Sequence, residues 1–416
     1  MDRAGDRDLK RDLGAPLFAS LACGLPLALL ALHRELGQHG DIEFFHEWSR
    51  AFGESAAFYR DGPGLNYPIA GVLLVAGPAW LLERLSGGEL DLASYRLVLK
   101  STIALGEVAF VFAAAALARA LSVSRPRAFA LLLYLLPTTW AGGAYFGQID
   151  PFGSALLCAS AAALIAYRER GHRGALALGL AALIGAILTK QLTWFAAPGL
   201  ALLAALGLAR HRDRIAIAMA LASPLLLFVA DPFLTLPAGF RSHLAFVLLR
   251  GSAHGELAVA SGASLWAFFA RGGTLAAEVR LLGVASDVWG WALFGLAMAI
   301  ALWQLRRARF SSRGSIALSG FACLAMATLL TGVHERYLAH AAPLLLLADA
   351  SPQRRALGVL TATVAGVFVL TTLHFDAFTG PLEALARPWP TATLALAWLG
   401  AWLALPWDRV MLAPRA

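Results

Sequence analysis

Charge is the first thing this sequence is short of. Asp, Glu, Lys and Arg make up 14% of its 416 residues, against roughly a quarter in soluble domains. That shortage excludes an ordinary water-soluble globule, which needs a charged surface. Cysteine is scarce as well: Cys23, Cys158 and Cys323 are the three present, each inside an apolar run and none in a C-x-x-C pair. A disulfide framework and a cysteine-based metal site are excluded, and the three read as small buried hydrophobes. The ten histidines include no H-E-x-x-H pair, so the helical zinc motif is absent too. No metal site is visible, nor any internal repeat or low-complexity tract.

What replaces charge is apolar sequence. Hydrophobic residues make up 59% of the chain and the mean hydropathy is +0.67. Apolar runs of about 20 residues recur, the length that spans ~30 Å of hydrocarbon as helix. The expected fold is therefore all-α, a polytopic transmembrane helical bundle forming a single membrane-embedded unit over 1–416. The formal net charge of +8 resides in Arg clusters within short loops between runs. That distribution marks membrane orientation and argues against a nucleic-acid partner. Arg far outnumbers Lys, and Ala and Leu fill the runs, a composition that points to a GC-rich bacterial genome. Arg3, Arg7, Lys10 and Arg11 precede an apolar run reaching Leu32 without an A-x-A site. That run is expected to be a retained span and not a cleaved signal peptide.

Placing the basic clusters (3–11, 119–127, 168–173, 210–214, 306–313, 354–355 and 409 onward) in the cytoplasm puts the opposite hairpin tips outside. Those tips carry Gly147–Asp150 (GQID), Thr189–Gln191 (TKQ), His334–Tyr337 (HERY), and the loop with His374 and Asp376. The segment 67–82 breaks the parity if it crosses. At about 16 residues it reaches ~24 Å at 1.5 Å per residue, short of the hydrocarbon thickness. It is therefore read as an interfacial or re-entrant helix, leaving about 12 spans (range about 11–13) with both termini inside. Two outer segments are long, 35–94 and 232–282, and long loops of this kind carry function. The first includes 41–52, whose Phe44, Phe45, Trp48 and Phe52 stand close to helical spacing, as in a helix lying on a membrane surface. The second holds the aromatic run 264–270.

Several polar residues admit two readings. Asp41 and Glu43 are either solvated loop carboxylates or a general base at the membrane surface. Arg96 and Lys100, four residues apart on one helix face, either snorkel or hold a lipid phosphate. Glu107 lies seven residues beyond Lys100 and would share that face. Lys190 and Gln191 form a polar break between two spans. His334, Glu335 and Arg336 sit between two apolar runs with almost no loop to spread them into water. A turn that tight presents them to a cavity, since exposure to lipid is expensive. Arg336 suits bidentate phosphate contact. Gln148 and Asp150 are either a polar tip of that site or an ordinary Gly147, Asp150-Pro151 turn.

Taken in order, GDIE (Gly40–Glu43) with Trp48, NYP (Asn66, Tyr67, Pro68), GQID, TKQ and VHERYL (Val333–Leu338) ahead of Pro343 resemble the GT-C superfamily. These are integral-membrane glycosyltransferases that use lipid-phosphate sugars. The likeness is to the branch with dolichyl-phosphate-glucose glucosyltransferases and bacterial mannosyltransferase-like proteins, and it runs from about Gly40 to Pro343. The resemblance implies Asp41 as the base on the acceptor hydroxyl and Glu43 as a second acidic position. His334, Glu335 and Arg336 then lie near the donor phosphate and sugar, Lys190 and Gln191 match the family's K-Q pair, and Gln148 falls in its polar tip. Tyr67-Pro68 matches the family's Y-P-P, with Ile69 in place of the second proline. It further implies an inverting hexosyltransferase acting on mannose or glucose, with no required metal or other cofactor. The donor is a polyprenyl-phosphate sugar and the acceptor a lipid-linked or cell-envelope glycan, at the outer face of a bacterial cytoplasmic membrane.

The chemistry agrees with the residues. Attack by an acceptor hydroxyl expels a phosphate, so the site needs a base and a cluster of cations for the charge that develops. Asp41 supplies the first; Arg336, His334, Lys190 and Lys100 supply the second. A polytopic transporter or lipid flippase is the competing reading. Transporters place polar residues near the midplane, whereas here Glu107 stands nearly alone in mid-span. An enzyme of the same superfamily acting on protein or lipid A shares the donor logic and differs in acceptor.

Overall fold

A computed structural model of the chain describes residues 12–37, 39–52, 67–230, 257–261, 264–269, 275–276, 280–331, 333–372 and 387–407. His374, Asp376, Asn66, the 3–11 basic cluster and most of 232–282 lie outside the described residues. Helix dominates. In chain order the first part comprises α1 (Ala15–His33), α2 (His39–Ala51), α3 (Ile69–Ser86), α4 (Leu92–Ala120), α5 (Pro126–Leu135), α6 (Pro137–Trp140), α7 (Asp150–Arg170), α8 (Arg173–Thr189) and α9 (Ala197–His211). Then come α10 (Arg214–Ala222), α11 (Leu225–Ala230), α12 (Ser286–Arg307), α13 (Ser312–Leu329), α14 (Leu338–Ala348), α15 (Pro352–Thr372) and α16 (Pro388–Ala404). Proline opens α5, α6, α7 and α9 at the first or second position, where its missing N–H costs nothing. Side-chain caps start three others: Asp91 accepts from Ser94 N, Asp213 from Ile215 N and Ala216 N, and Ser311 from Gly314 N.

Among the described residues eight helices are long and apolar enough to cross a membrane. A ninth is counted if α5 and the turn from Pro137 to Tyr145, bent by 65°, form one span. Pro137 accounts for that bend. The polytopic helical architecture is as expected, but helices of spanning length are fewer than about 12. Runs expected as full crossings include shorter helices: α8, the stretch Arg214–Leu227, and α14. The segment expected to be too short to cross is one of the eight. α3 has 18 residues, ~27 Å at 1.5 Å per residue, because the helix continues beyond residue 82 until Gly87 ends it in the left-handed conformation. Length therefore does not take it out of the membrane, and the parity argument loses that support.

The core explains the short helices. α14 is buried at every one of its 11 positions, and α13 from Gly314 to Leu329 without a break. A helix apolar all round belongs inside a bundle, walled from lipid by its neighbours. α13 and α14 pack on each other, and α7 packs on α4, α8, α9 and α14. The outer helices carry the exposed leucines, Leu105, Leu178 and Leu221 among them.

The Arg clusters also knit one end of the bundle. Arg168 donates to Ser312 Oγ at 2.9 Å and Phe310 O at 3.2 Å, Arg127 to Leu13 O at 2.7 Å, and Arg313 to Leu121 O. Arg354 pairs with both oxygens of Asp349 at 2.9 Å and lies over the Trp402 ring at 3.9 Å. An all-α chain leaves out one feature present here, a small sheet. β1 (Leu257–Ser261) lies between β2 (Leu275–Ala276), antiparallel, and β5 (Val333–His334), parallel. A separate pair joins β3 (Arg280–Leu281) to β4 (Val284–Ala285). The segment 232–282 thus holds the HERY turn by its backbone through β1. Beside it Trp266 is buried and donates to Leu329 O at 2.8 Å, at the last residue of α13.

Candidate active site

The site assembles from five chain segments, far apart in sequence, at the end of the bundle away from the Arg clusters. α7 shows the separation: Asp150 opens it and Arg168 lies in its last turn, ~27 Å away at the helical rise.

α2 is amphipathic. Ile42, Phe45, Trp48 and Ser49 are buried on one face, and that face docks on α3 and α4. Ser49 Oγ donates to Ala76 O at 3.3 Å, while His46 stacks on Tyr95 and its Nε2 lies 3.0 Å from Leu90 O. Trp48 packs edge-on against Tyr67 and tilted against Phe44 and Phe45. Asp41 falls in the first turn, beside the buried face and half-buried. Glu43 is exposed. Two positions apart on a helix are turned about 200° from each other, so the fold sends one carboxylate inward and the other out.

The GQID tip follows an irregular turn. After α6 the chain makes a π-helical turn, Ala141–Tyr145, and Gly147 takes φ +95°, a left-handed value that glycine adopts without strain. That turn carries Gln148 inward, with its N–H on Gly142 O at 3.0 Å. α4 holds the turn with Glu107 and Lys100. Glu107 accepts from Ala144 N at 2.8 Å and from Tyr134 OH at 2.7 Å, and Lys100 donates to Tyr145 O at 3.3 Å and to His33 O. Each charged group therefore spends hydrogen bonds on the backbone beside the site. Arg96, one turn before Lys100, donates to Glu35 O at 3.0 Å, so both basic residues clasp the exit of α1.

Gln148 is the junction. Its amide nitrogen donates to Asp41 Oδ2 at 2.6 Å, while its carbonyl oxygen accepts from Tyr67 OH at 2.5 Å and from Lys190 Nζ at 3.2 Å. Two donors on one side and a carboxylate on the other set the orientation of the amide. Lys190 caps the end of α8 in extended backbone and is buried. Its ammonium reaches Asp150 Oδ1 at 2.9 Å and Oδ2 at 3.0 Å, and Tyr67 OH at 3.3 Å, with the Tyr67 and Tyr337 rings at 5.2 and 5.7 Å. Its charge is therefore balanced within the protein by Asp150. Burial raises the Tyr67 phenol well above its ordinary pKa, with Asp150 adding to the shift, so the hydroxyl stays a neutral donor. Gln191, also buried, opens the 3-10 turn Gln191–Ala196.

Sequence reasoning missed His340 and Ser154. His340 Nε2 lies 3.2 Å from Asp150 Oδ1, its Nδ1 lies 3.0 Å from Ser154 Oγ, and Ser154 Oγ is 3.1 Å from Ala339 O. The helical repeat held the signal. His340 follows Arg336 by four residues and Ser154 follows Asp150 by four, the spacing that shares a face.

Arg336 and His334 are both buried. The Arg336 guanidinium lies over the Phe146 ring at 5.1 Å and the Tyr337 ring at 5.6 Å, and His334 meets Tyr337 edge-on at 5.6 Å. Tyr337 thus stands between Lys190 and the HERY cation. Of the residues expected to share a site, the fold brings together Asp41, Tyr67, Gln148, Asp150, Lys190, Arg336 and His334, with Trp48 behind Tyr67. Glu43 is turned outward, and the Glu335 side chain lies outside the described residues.

No family model matches the chain, and no curated protein does. Among solved structures it is similar to ArnT from Cupriavidus metallidurans, determined bound to undecaprenyl phosphate. The two share 16% identity over 94% of this chain and 77% of that one, with a TM-score of 0.48. A similarity at this level assigns no activity.

Proposed function

We propose that this chain is a membrane glycosyltransferase of the GT-C type. It transfers a hexose, mannose or glucose, from a polyprenyl phosphate to an acceptor hydroxyl at the outer face of a bacterial cytoplasmic membrane. The observation that carries the reading is the bridge from Asp41 through Gln148 to the buried charged cluster. It joins a half-buried carboxylate, suited to take a proton, with a site rich in cationic and hydrogen-bonding groups.

In this reading Asp41 removes the proton from the acceptor hydroxyl as its oxygen bonds to the anomeric carbon. The carbon–oxygen bond to phosphate breaks from the opposite face, inverting the sugar carbon. Its electron pair leaves on the polyprenyl phosphate, whose growing charge Arg336 and His334 stabilise. Gln148 orients Asp41, and Lys190 holds Gln148. Lys190 acts here through position more than through net charge, since Asp150 neutralises it. Lys100 and Arg96 support the walls of the site by the same logic.

The test is Asp41→Asn assayed with lipid extract as the source of donor and acceptor. A positioned base contributes about 10²- to 10⁴-fold, so transfer should fall by that factor while the variant purifies and unfolds like the parent. Near-normal transfer by Asp41→Asn removes the base assignment. Absence of any sugar transfer by the parent protein, with glycolipids unchanged on deleting the gene, removes the activity itself.

A further inference from the structure

A cavity lies at the end of the bundle opposite the candidate active site. It has a volume of about 220 Å³, between the last turn of α12, which supplies Trp303, Gln304 and Arg307, and the chain leaving α16, which supplies Pro406 and Trp407. α12 ends there at the Arg cluster, and α13 leads from that cluster back towards the HERY turn. The cavity therefore sits about one helix length, ~27 Å for the 18 residues of α13, from the candidate active site.

Three features mark a built site. Gln304 is 5% exposed, and its amide nitrogen donates to Leu403 O at 2.6 Å. Its carbonyl oxygen is buried and has no hydrogen-bond partner among the described residues. A buried acceptor left in that state carries a desolvation cost that a bound donor relieves. Secondly, Arg307 lies over the Trp303 ring at 4.8 Å, which aims a guanidinium at the mouth of the same cavity. The far wall is fixed, because Trp407 is buried and donates its indole N–H to Trp402 O at 2.9 Å. Thirdly, the lining residue Trp303 is 56% exposed, and its chain neighbour Leu302 and Leu405, which lies between the lining residues Ala404 and Pro406, are exposed apolar side chains. A soluble anion has no use for such side chains, whereas an acyl chain does. Trp and Arg together at a helix end also match the interfacial depth of a bilayer, where headgroups lie.

We propose that this cavity binds the headgroup of an anionic glycerophospholipid whose headgroup carries a hydroxyl. Arg307 takes the phosphodiester, Gln304 Oε1 accepts from the hydroxyl, and the acyl chains run along Leu302, Trp303 and Leu405. Exposed Arg306 beside it adds to the preference for an anionic lipid over a zwitterionic one.

The experiment is native mass spectrometry of the full chain, delipidated in neutral detergent. The probes are phosphatidylglycerol, phosphatidylmethanol (the same charge without headgroup hydroxyls), phosphatidylcholine and free glycerol phosphate. The parent should retain one phosphatidylglycerol at least fivefold more strongly than either of the other lipids, and should not retain free glycerol phosphate. Arg307→Ala and Trp303→Ala, both at exposed positions, should lower that retention at least fivefold. Gln304→Leu should erase the preference for phosphatidylglycerol over phosphatidylmethanol. Arg84→Ala removes another arginine stacked on a tryptophan, Trp80, and should change nothing. Equal retention in the parent and Arg307→Ala, or an equal loss from Arg84→Ala, overturns the proposal. Binding of free glycerol phosphate as strong as that of the lipid overturns the lipid assignment.

Discussion

Asp150→Asn keeps the shape of the side chain and deletes the anion that faces Lys190 at 2.9 Å. Two unit charges at that distance attract by about 6 kcal/mol at an effective dielectric near 20, and the desolvation of both groups offsets part of that. What the variant leaves is a buried ammonium whose remaining oxygen contacts, Gln148 Oε1 and Tyr67 OH, are neutral. Breaking one side of a buried pair costs about 3–5 kcal/mol, which is about two to four powers of ten in the folding equilibrium. Lys190→Met should also destabilise, because Asp150 then loses its 2.9 Å cation and keeps His340 Nε2 at 3.2 Å and the charge of Arg336 in its surroundings. The double variant buries no lone charge and should lose less than the sum of the singles, by about 2 kcal/mol or more. Reversible unfolding in mixed micelles with rising SDS, followed by far-UV circular dichroism, measures all four corners of the cycle. Additive single effects, within about 0.5 kcal/mol, would refute the pairing and return Lys190 to the role of a cation available to a donor phosphate.

Arg336→Ala should raise the donor-lipid requirement by at least tenfold with a smaller effect on the maximal rate, read from transfer kinetics at varied donor; an unchanged requirement removes its phosphate role. Gly71→Ala puts a Cβ 2.3 Å from the Thr189 carbonyl oxygen, a backbone clash worth about 1–3 kcal/mol, visible as a lower midpoint in the same unfolding assay. Tyr134→Phe leaves one oxygen of buried Glu107 without its 2.7 Å donor and should cost about 1–3 kcal/mol. Because the other oxygen still holds Ala144 N, the loss should be one of stability more than of transfer at permissive temperature.

Membrane architecture was legible along the chain, because hydrocarbon imposes its own length and apolarity on any helix that crosses it. So was much of the site's membership. Charged residues placed at the ends of apolar runs are costly unless used, which marked Arg336 in the HERY turn, while Asp41 and Lys190 were brought forward by the motif resemblance. Span lengths were less legible: α14 reads like a crossing but is an 11-residue helix buried all round, and burial within protein leaves the same apolar signature as burial in lipid. Pairing was not legible at all. Nothing local in the sequence says that Lys190 meets Asp150, 40 residues away, that Gln148 reaches Asp41 across 107, or that His340 joins them. Nor does it say that Lys100 and Glu107, set to share a face, grip the backbone of the π-helical turn at Tyr145 and Ala144 instead of each other. Sequence determined which groups had to be kept from lipid. Which of them cancel, and which remain to act on a substrate, was decided only when the packed helices set their distances, because a buried charge takes its meaning from what lies within a few ångströms of it.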